Sequence, residues 1–363
     1  MTFRIMLIAV LALPGLAGVT HAREIPPVTL ELTGKATPEL LADFHQALRR
    51  MTSRQQDDST AGSMAASSGR IDLQQFWKVE EGVAYTTGES SPRQRLNIIY
   101  PFEGEPPYRT IVHFHSGDWH SGDRASASDA AAYWAIYQGY ALVSVGYRLA
   151  EEALWPAQLH DARAAVRFLR ANAGRYQLDP DRVVVWGSGS GGHLAQMLAA
   201  TNGEVSGENL APGHEEASSE VQGVVSWNGI ADITDLPPAS RDAADQLLGY
   251  SSYQSKPGLE ASPVAQVNTD FPPILLVHDT TDRGVPFEQS ARMAIRVNAV
   301  TGRERARLNL LINPEHSGPG IASPGLMAES LDFVDDILYP DDENPHRSTF
   351  YPPIQTLGKP DSD

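Results

Sequence analysis

The chain has 363 residues, of which 41% are hydrophobic and 20% are charged, so it can bury a substantial core as one large domain or two smaller ones. Its formal net charge of −17 disfavours nucleic acid and anionic membranes as partners. Cysteine is absent, which excludes disulfides and zinc sites built on cysteine.

Residues 1–22 have the layout of a secretory signal peptide. Arg4 precedes a short apolar run, "IMLIAVLAL" (5–13), and the small residues "THA" end at Ala22. The run is too short to span a bilayer. We therefore expect a secreted or periplasmic protein that keeps no stable membrane anchor once these residues are removed.

Two polar regions border the central part of the chain. Residues 23–85 contain a predicted helix, "PELLADFHQALRR" (38–50), and a flexible polar segment at 51–70 to which we assign no role. Residues 340–363 are rich in proline and acid and are predicted to form a C-terminal tail. The region between them, 86–339, is predicted to be a single folded domain.

Strand and helix patterns alternate through this domain. Apolar runs typical of strands occur at 95–100, 110–115, 140–145, 182–187, 221–227, 273–278 and 307–312. Helical patterns occur at 128–138, 156–173, 192–200, 286–300 and 324–338. This alternation predicts an α/β protein with a mostly parallel central sheet of about eight strands and helices on both faces. Binding sites in such sheets form at the carboxyl ends of the strands.

Two long segments carry a resemblance to a known family. "YRLAEEALWPAQLHDARAAVRFLRANAGRYQLDPDRVVVWG" (147–187) and "ASPVAQVNTDFPPILLVHDTTDRGVPFEQS" (261–290) resemble the α/β-hydrolase fold. Within that fold they resemble bacterial carboxylesterases and lipases, including the feruloyl-esterase-like group and arylformamidases. The resemblance implies a small ester-like ligand and no cofactor.

The resemblance also places two members of a catalytic triad. In "HDTTDRGVP" (278–286) the usual triad acid corresponds to Asp282, and in "NPEHSGPG" (313–320) the usual triad histidine corresponds to His316. A carboxylate beside an imidazole fixes its tautomer and stabilises its charged form, so this pair would be a competent general base.

The nucleophile elbow of the family aligns with "WGSGSGGHLA" (186–195). Both flanks match in register, so the nucleophile position falls on Gly189, with Ser188 before it and Ser190 after it. Glycine adopts positive φ without cost but supplies no attacking oxygen.

The oxyanion loop also departs from the family pattern, because "HSGDW" (115–119) stands where the family has "HGGGW". The resemblance implies that the backbone N–H groups of Ser116, Gly117 and Ser190 are the candidate oxyanion donors. Asp118 replaces a glycine, and a carboxylate facing the hole would repel the charge that the hole stabilises. If Asp118 faces solvent, the backbone donors stay usable.

Three functions remain open on these residues. In the first, Ser190 attacks an ester, His316 is the base and Asp282 orients it. In the second, the His316–Asp282 pair acts without a serine, activating a water or removing a substrate proton in hydrolysis, a lyase step or an isomerisation. In the third, the protein is an inactive esterase homologue that binds a ligand or a partner.

A metal site is the remaining alternative. The stretch "HFHSGDWHSGD" (113–123) is dense in metal-ligand residue types, but its spacing matches no metallohydrolase pattern, so we expect no metal. We expect His193 to be structural, and Arg148 and Asp161 to form a structural ion pair.

Overall fold

The computed structural model describes the backbone alone of residues 2–11, 23–24 and 28–33, and it describes residues 69–88, 90–202, 211–312, 324–340, 344–348, 352 and 354–357. The predicted helix at 38–50 and most of the predicted flexible segment lie outside these residues. His316 lies outside them as well.

Strands and helices alternate along the described chain. The strands are β1 (Thr2–Leu11), β2 (Arg23–Glu24), β3 (Val28–Thr33), β4 (Arg70–Ile71), β5 (Val79–Ala84), β6 (Arg95–Ile99), β7 (Tyr108–Phe114), β8 (Ala141–Val145), β9 (Leu178–Ser188), β10 (Gly223–Trp227), β11 (Ile274–Asp279), β12 (Ala306–Ile312) and β13 (Thr356–Leu357). The helices are α1 (Ala157–Ala171), α2 (Ala173–Tyr176), α3 (Ser190–Ala200), α4 (Pro238–Leu248), α5 (Lys256–Glu260), α6 (Pro263–Gln266), α7 (Glu288–Thr301) and α8 (Pro324–Leu338). Within the described residues, no helix has the length and apolar character needed to cross a membrane.

Eleven of the described strands form one sheet, in the order β2-β1-β12-β11-β10-β9-β7-β8-β6-β5, with β3 paired to β1. Seven neighbouring strands run parallel to one another, in the order β8, β7, β9, β10, β11, β12 and β1. Strands β5 and β6 pair antiparallel. The predicted sheet of about eight mostly parallel strands corresponds to β5–β12 and is confirmed. Because β7, β9, β10, β11 and β12 are parallel, their carboxyl ends meet at one edge of the sheet.

The sheet is buried on both faces because its strands are apolar on both sides. In β9, Val183 and Val185 join the hydrophobic cluster under α1, α3 and α7, whereas Val184 and Trp186 join the cluster on the opposite face with α8. This alternation is what a parallel sheet with two helical layers requires.

The segment predicted as a helix at 128–138 has an observed geometry that differs from the prediction. Residues Ala127–Gln138 form a 3₁₀ segment, and Asp129 leaves helical dihedrals altogether, with φ −107° and ψ 17°. The Asp129 carboxylate is turned into the protein, where Ser128 Oγ donates to it at 3.0 Å. A polar side chain that bonds locally competes with the regular helical turn.

The predicted ion pair between Arg148 and Asp161 is confirmed. The Arg148 Nη2 and Nε atoms donate to the fully buried Asp161 carboxylate at 2.7 and 3.0 Å. The Arg148 backbone N–H and Gln94 Nε2 donate to the same carboxylate at 2.9 and 2.7 Å. This network joins the loop after β8 to helix α1.

The described part of the predicted C-terminal tail packs on the domain. Strand β13 pairs with β4, and Trp134 Nε1 donates to the Pro352 carbonyl at 2.7 Å. Asn344 Nδ2 donates to Asp335 of α8 at 2.9 Å. The tail therefore covers the face of the sheet that carries the 3₁₀ segment and α8.

Candidate active site

The turn between β9 and α3 is sharp and centres on Gly189. This residue has φ 52° and ψ −117°, outside the helical region, and it directly precedes the first residue of α3. Its N–H donates to the Trp227 carbonyl and its own carbonyl accepts from the His193 N–H, both at 3.0 Å. These bonds hold the turn at the carboxyl end of β9, between β7 and β10.

The glycines around this turn differ in how much space surrounds them. A Cβ atom at Gly187 would overlap the backbone of Gly191, and one at Gly191 would overlap the Phe114 carbonyl. A Cβ at Gly192 would lie 2.8 Å from Ser226 Oγ. A Cβ at Gly189 would meet nothing within 4 Å. Close packing therefore demands glycine at 187, 191 and 192, whereas position 189 has room for a side chain.

The two serines beside this turn lie in different surroundings. Ser188 ends β9 and is half-buried. Ser190 begins α3 with its side chain fully buried beside the Tyr147 hydroxyl, which donates to the His115 carbonyl at 2.8 Å. The Ser190 hydroxyl is therefore enclosed beneath the turn.

The candidate oxyanion loop follows β7 and is held in an unusual conformation. Gly117 has φ 120°, and its carbonyl accepts from the N–H groups of His120 and Ser121 at 3.0 and 2.9 Å. Asp118 and Trp119 follow with φ of 53° and 61°. Positive φ at two successive residues other than glycine costs conformational energy, and such strain concentrates at functional sites.

Ser116 faces away from the site, toward a buried polar cluster. Its backbone N–H and hydroxyl are directed at the Asp129 carboxylate, and the hydroxyl lies 3.5 Å from Oδ2. His113 Nε2 lies 3.7 Å from Asp129 Oδ1. Burial raises the pKa of Asp129 to about 6 and lowers that of His113 to about 3, so the histidine is neutral at pH 7.

Asp282 lies in the loop after β11, at the same edge of the sheet as Gly189. Its Oδ1 accepts from the N–H groups of Gly284 and Val285, and its Oδ2 accepts from Asn228 Nδ2, all at 2.9 Å. Three donors fix the carboxylate in one orientation, as a group that positions an imidazole requires.

Asn228 is a positioning residue that the sequence analysis missed. It directly follows β10 with φ 47°, and its Oδ1 accepts from the Asp279 N–H at 3.0 Å while its Nδ2 donates to Asp282. The dipeptide Asn228-Gly229 directly after a strand indicates a turn at this position in the sequence, because asparagine tolerates the left-handed region.

The Asp118 side chain is exposed at the mouth of this site. Neighbouring atoms displace part of its water and raise its pKa, the charge of His120 lowers the pKa, and the charge of Asp282 raises it. The two carboxylates therefore lie close enough to repel each other.

His193 packs beneath the site, as expected of a structural residue. Its Nε2 lies 2.8 Å from the Ala261 carbonyl, and its ring contacts the rings of Trp119 and Trp155 at centroid distances of 5.1 and 5.3 Å. Trp119 thus couples the oxyanion loop to α3. Among the residues with described side chains, no three His, Asp or Glu groups converge as metal ligands would.

The strand order and the sharp turn before α3 are those of an α/β hydrolase. The BD-FAE family profile matches residues 96–296, more than half of the chain, and the chain belongs to this family.

Relatives with curated descriptions are esterases. The chain is 29% identical over 182 residues to the probable carboxylic ester hydrolase LipM of Mycobacterium tuberculosis, covering 48% of this chain and 41% of LipM. It is 31% identical over 157 residues to the esterase LipQ of the same organism, covering 42% of this chain and 37% of LipQ. The matched region thus spans less than half the length of either relative.

Solved structures of esterases share the fold. A truncated carbohydrate esterase from gut microbiota superposes with a TM-score of 0.65 at 26% identity, covering 74% of this chain and 99% of that one. A bifunctional GH43-CE protein of Bacteroides eggerthii superposes with a TM-score of 0.62 at 25% identity, covering 70% and 37%. The protein is therefore an esterase-like α/β hydrolase of the BD-FAE family.

Proposed function

We propose that this protein hydrolyses small carboxylic esters with a water molecule, rather than a serine hydroxyl, as the nucleophile. The observation that carries the proposal is the sharp turn from β9 to α3 at Gly189, which has a positive φ and an open Cβ position. Asp282 is held in one orientation at the same edge of the sheet. A fixed carboxylate at this edge of the sheet supports a general-base role for the proposed His316–Asp282 pair.

The enclosure of Ser190 argues against a shifted serine nucleophile. Its side chain is fully buried at the start of α3, and the Tyr147 hydroxyl lies beside it. To attack an ester held above Gly189, the Ser190 side chain would have to leave the fully buried position that it occupies.

In the proposed reaction His316, oriented by Asp282, takes a proton from water as the oxygen bonds to the ester carbonyl carbon. The tetrahedral oxyanion that results is stabilised by the backbone N–H groups of Gly117 and Ser190. The bond from carbon to the alcohol oxygen then breaks, and His316 returns the proton to the leaving alcohol. No covalent acyl-enzyme forms.

The test is hydrolysis of 4-nitrophenyl acetate by wild type, Ser190→Ala, His316→Ala and Asp282→Asn. We expect Ser190→Ala to retain activity and His316→Ala to lose about 100-fold or more, since general-base catalysis contributes about 10²–10⁴. We expect the activity of Asp282→Asn to lie between the activities of Ser190→Ala and His316→Ala.

Covalent labelling separates water from serine as the nucleophile. An organophosphonate should form no adduct with folded wild type, and product release should show no burst. An adduct on Ser190, with activity lost in Ser190→Ala, would overturn the proposal.

Ligand binding without turnover is the second candidate, and Asp118 favours it. Its carboxylate follows Gly117 in the candidate oxyanion loop and is repelled by Asp282, so its charge would oppose an oxyanion formed beside that loop. If the protein binds without turnover, wild type binds esters but does not cleave them, and the double variant Gly189→Ser, Asp118→Gly cleaves them.

We expect the rate of ester cleavage by that double variant to exceed the rate of Gly189→Ser by roughly tenfold or more, because a single oxyanion-hole interaction is worth about 10²–10³. Equal rates for the two would contradict a repulsive role for Asp118.

We also propose export of the protein, with residues 1–22 as the removed signal. The support is Arg4 followed by the apolar run at 5–13 and the small residues before Arg23. Amino-terminal sequencing of protein from the exported fraction should begin at Arg23. Recovery of full-length chain from the cytosol alone would contradict export.

A further inference from the structure

The loop that carries the candidate oxyanion donors begins beside a buried carboxylate, that of Asp129. This residue is only 6% exposed, and Ser128 Oγ donates to its carboxylate at 3.0 Å. The backbone N–H of Ser116 donates to the same carboxylate, and the Ser116 hydroxyl lies 3.5 Å from Oδ2. Asp129 therefore reaches from the 3₁₀ segment into the oxyanion loop.

The bond to Asp129 decides which backbone donor of the loop stays available. The Ser116 N–H is used by the carboxylate. The Gly117 carbonyl is held by the N–H groups of His120 and Ser121, at 3.0 and 2.9 Å. The Gly117 N–H lies between these two anchors and has no acceptor among the described residues. A donor that is held in place without a partner is what an oxyanion hole presents to its ligand.

The serine at 116, where the family has glycine, adds to this arrangement. Its hydroxyl lies 3.3 Å from Ser128 Oγ as well as 3.5 Å from Asp129 Oδ2. A glycine would offer its backbone N–H alone. The hydroxyl therefore adds a second, weaker contact between the first part of the loop and the carboxylate.

The charge of Asp129 has no cationic partner. Within the described part of the chain no arginine or lysine pairs with it, and Asp123 adds a second negative charge nearby. His113 Nε2 faces Oδ1 at 3.7 Å, but the ring is neutral, and Oδ1 has no hydrogen-bond partner. The Tyr133 hydroxyl donates to the Arg124 carbonyl instead. A buried carboxylate that is stabilised only by N–H and O–H dipoles costs folding free energy, so packing alone does not explain it.

Such a carboxylate changes its charge close to neutral pH. Burial raises the pKa of Asp129 to about 6, although the bonds from Ser128 and Ser116 oppose this rise and the charge of Asp123 adds to it. As pH falls through this value the group gains a proton. A neutral acid accepts a hydrogen bond from the Ser116 N–H less strongly than a carboxylate does, so the hold on the loop should weaken.

We propose that Asp129 is a positioning residue of the candidate site, which holds the Ser116 N–H away from the substrate and leaves Gly117 as the donor of the oxyanion loop. Its part in catalysis rests on the ester hydrolysis proposed above. Its hold on the loop does not, so the two are tested separately.

Fluorine NMR of the full chain labelled with 5-fluorotryptophan tests the hold on the loop without turnover. Trp119 belongs to this loop, and its resonance is the one that Trp119→Phe removes. We expect this resonance to titrate with a midpoint near pH 6 in wild type and to lose that midpoint in Asp129→Asn. The matched controls are Asp118→Asn and His120→Gln, which remove the ionisable neighbours of Trp119 and should keep the midpoint.

A second variant keeps the test decisive if Asp129→Asn does not fold. Ser116→Ala removes the hydroxyl, a donor that favours the charged form of Asp129, and should move the midpoint to higher pH. An unchanged midpoint in either variant, or a Trp119 resonance that does not titrate in wild type, would overturn the proposal.

Steady-state kinetics with 4-nitrophenyl acetate test the part of Asp129 in the reaction. We expect Asp129→Asn to lose about tenfold in kcat, less than the 10²–10³ that removal of a donor costs, and to change KM little, because the oxyanion forms only in the transition state. A raised KM with unchanged kcat would refute this role. If wild type does not cleave the ester, the hydrolysis is refuted, while the Trp119 titration still decides whether Asp129 positions the loop.

Discussion

Gly189 combines a left-handed backbone angle with free space around its Cβ position, and no other glycine of the turn from 187 to 192 has both. Its φ of 52° is accessible to glycine without cost, while other residues adopt such angles only under strain. Its neighbours in the turn are excluded from substitution by close packing instead. At the residue scale, therefore, the turn tolerates a hydroxymethyl group at 189 and excludes it at 191.

A comparison of Gly189→Ser with Gly191→Ser tests this distinction. We expect Gly189→Ser to fold and to lose about 1–3 kcal/mol in the free energy of unfolding, the cost of a side chain at positive φ. Gly191→Ser should fail to fold, because its Cβ would overlap the Phe114 carbonyl. Urea unfolding followed by circular dichroism measures both, and similar stabilities for the two variants would contradict the packing argument.

Folded Gly189→Ser should also react with an organophosphonate. Its hydroxyl would stand in the open space of the turn, within the edge of the sheet that holds Asp282. Mass spectrometry of the adduct after proteolysis should assign it to residue 189. A folded variant that forms no adduct would mean that His316 does not reach this position.

At the scale of elements, α1 is joined to the loop after β8 by the buried ion pair of Arg148 and Asp161, while the pair of Arg307 and Asp336 lies on the surface. Asp161→Ala leaves Arg148 and Gln94 without their shared acceptor, so we expect a loss of about 3–5 kcal/mol in the free energy of unfolding. The control is Asp336→Ala, which breaks an exposed pair with Arg307 and should cost less than about 1 kcal/mol. Chemical denaturation measures both, and equal losses would refute the role assigned to burial.

Helix α3 should make stability depend on pH through His193. Burial lowers the pKa of His193 to about 4 from 6.5, and its bond to the Ala261 carbonyl offsets this in part. The folded protein keeps the ring neutral while the unfolded chain binds a proton, so stability is complete above pH 6.5 and is lost as pH falls toward 4.

Replacing His193 with Gln should therefore flatten the acid side of the stability profile. The amide can still donate to the Ala261 carbonyl but does not titrate. Between pH 6 and 4 we expect the slope of unfolding free energy against pH to fall by up to about 1.4 kcal/mol per unit. Parallel profiles for wild type and variant would show that His193 does not carry this dependence.

At the scale of the whole molecule, the described hydrophobic clusters on the two faces of the sheet draw on residues between Ile71 and Tyr339. A chain that begins at Arg23 loses β1 and its pairing with β12 but keeps both clusters. If residues 1–22 are a removable signal, that shortened chain should fold with a thermal midpoint close to that of the full chain. Failure of the shortened chain to fold would contradict the signal-peptide proposal.

Patterns that depend on neighbours in sequence were predictable, whereas those set by distant contacts were not. The periodicity of 324–338 predicted α8 with its observed bounds, and the apolar runs predicted β7–β12 because buried parallel strands are apolar on both faces. Within the 3₁₀ segment at 127–138, the Asp129 carboxylate bonds to its neighbour Ser128 but also faces His113 of β7 and Ser116 of the following loop, which local periodicity does not reveal. The electrostatic repulsion between Asp118 and Asp282 likewise involves two loops that are far apart in sequence.

The open space at Gly189 also has a genetic consequence. Codons GGT and GGC for glycine become serine codons AGT and AGC by one base transition, so a hydroxyl can return to this position in a single mutational step. The fold opposes that step only through the strain of one backbone angle, since no neighbour must move to admit the side chain. The same base change in the codon of Gly191 would place a Cβ atom on the Phe114 carbonyl. Of these two positions, we therefore expect only 189 to retain a serine that arises by mutation.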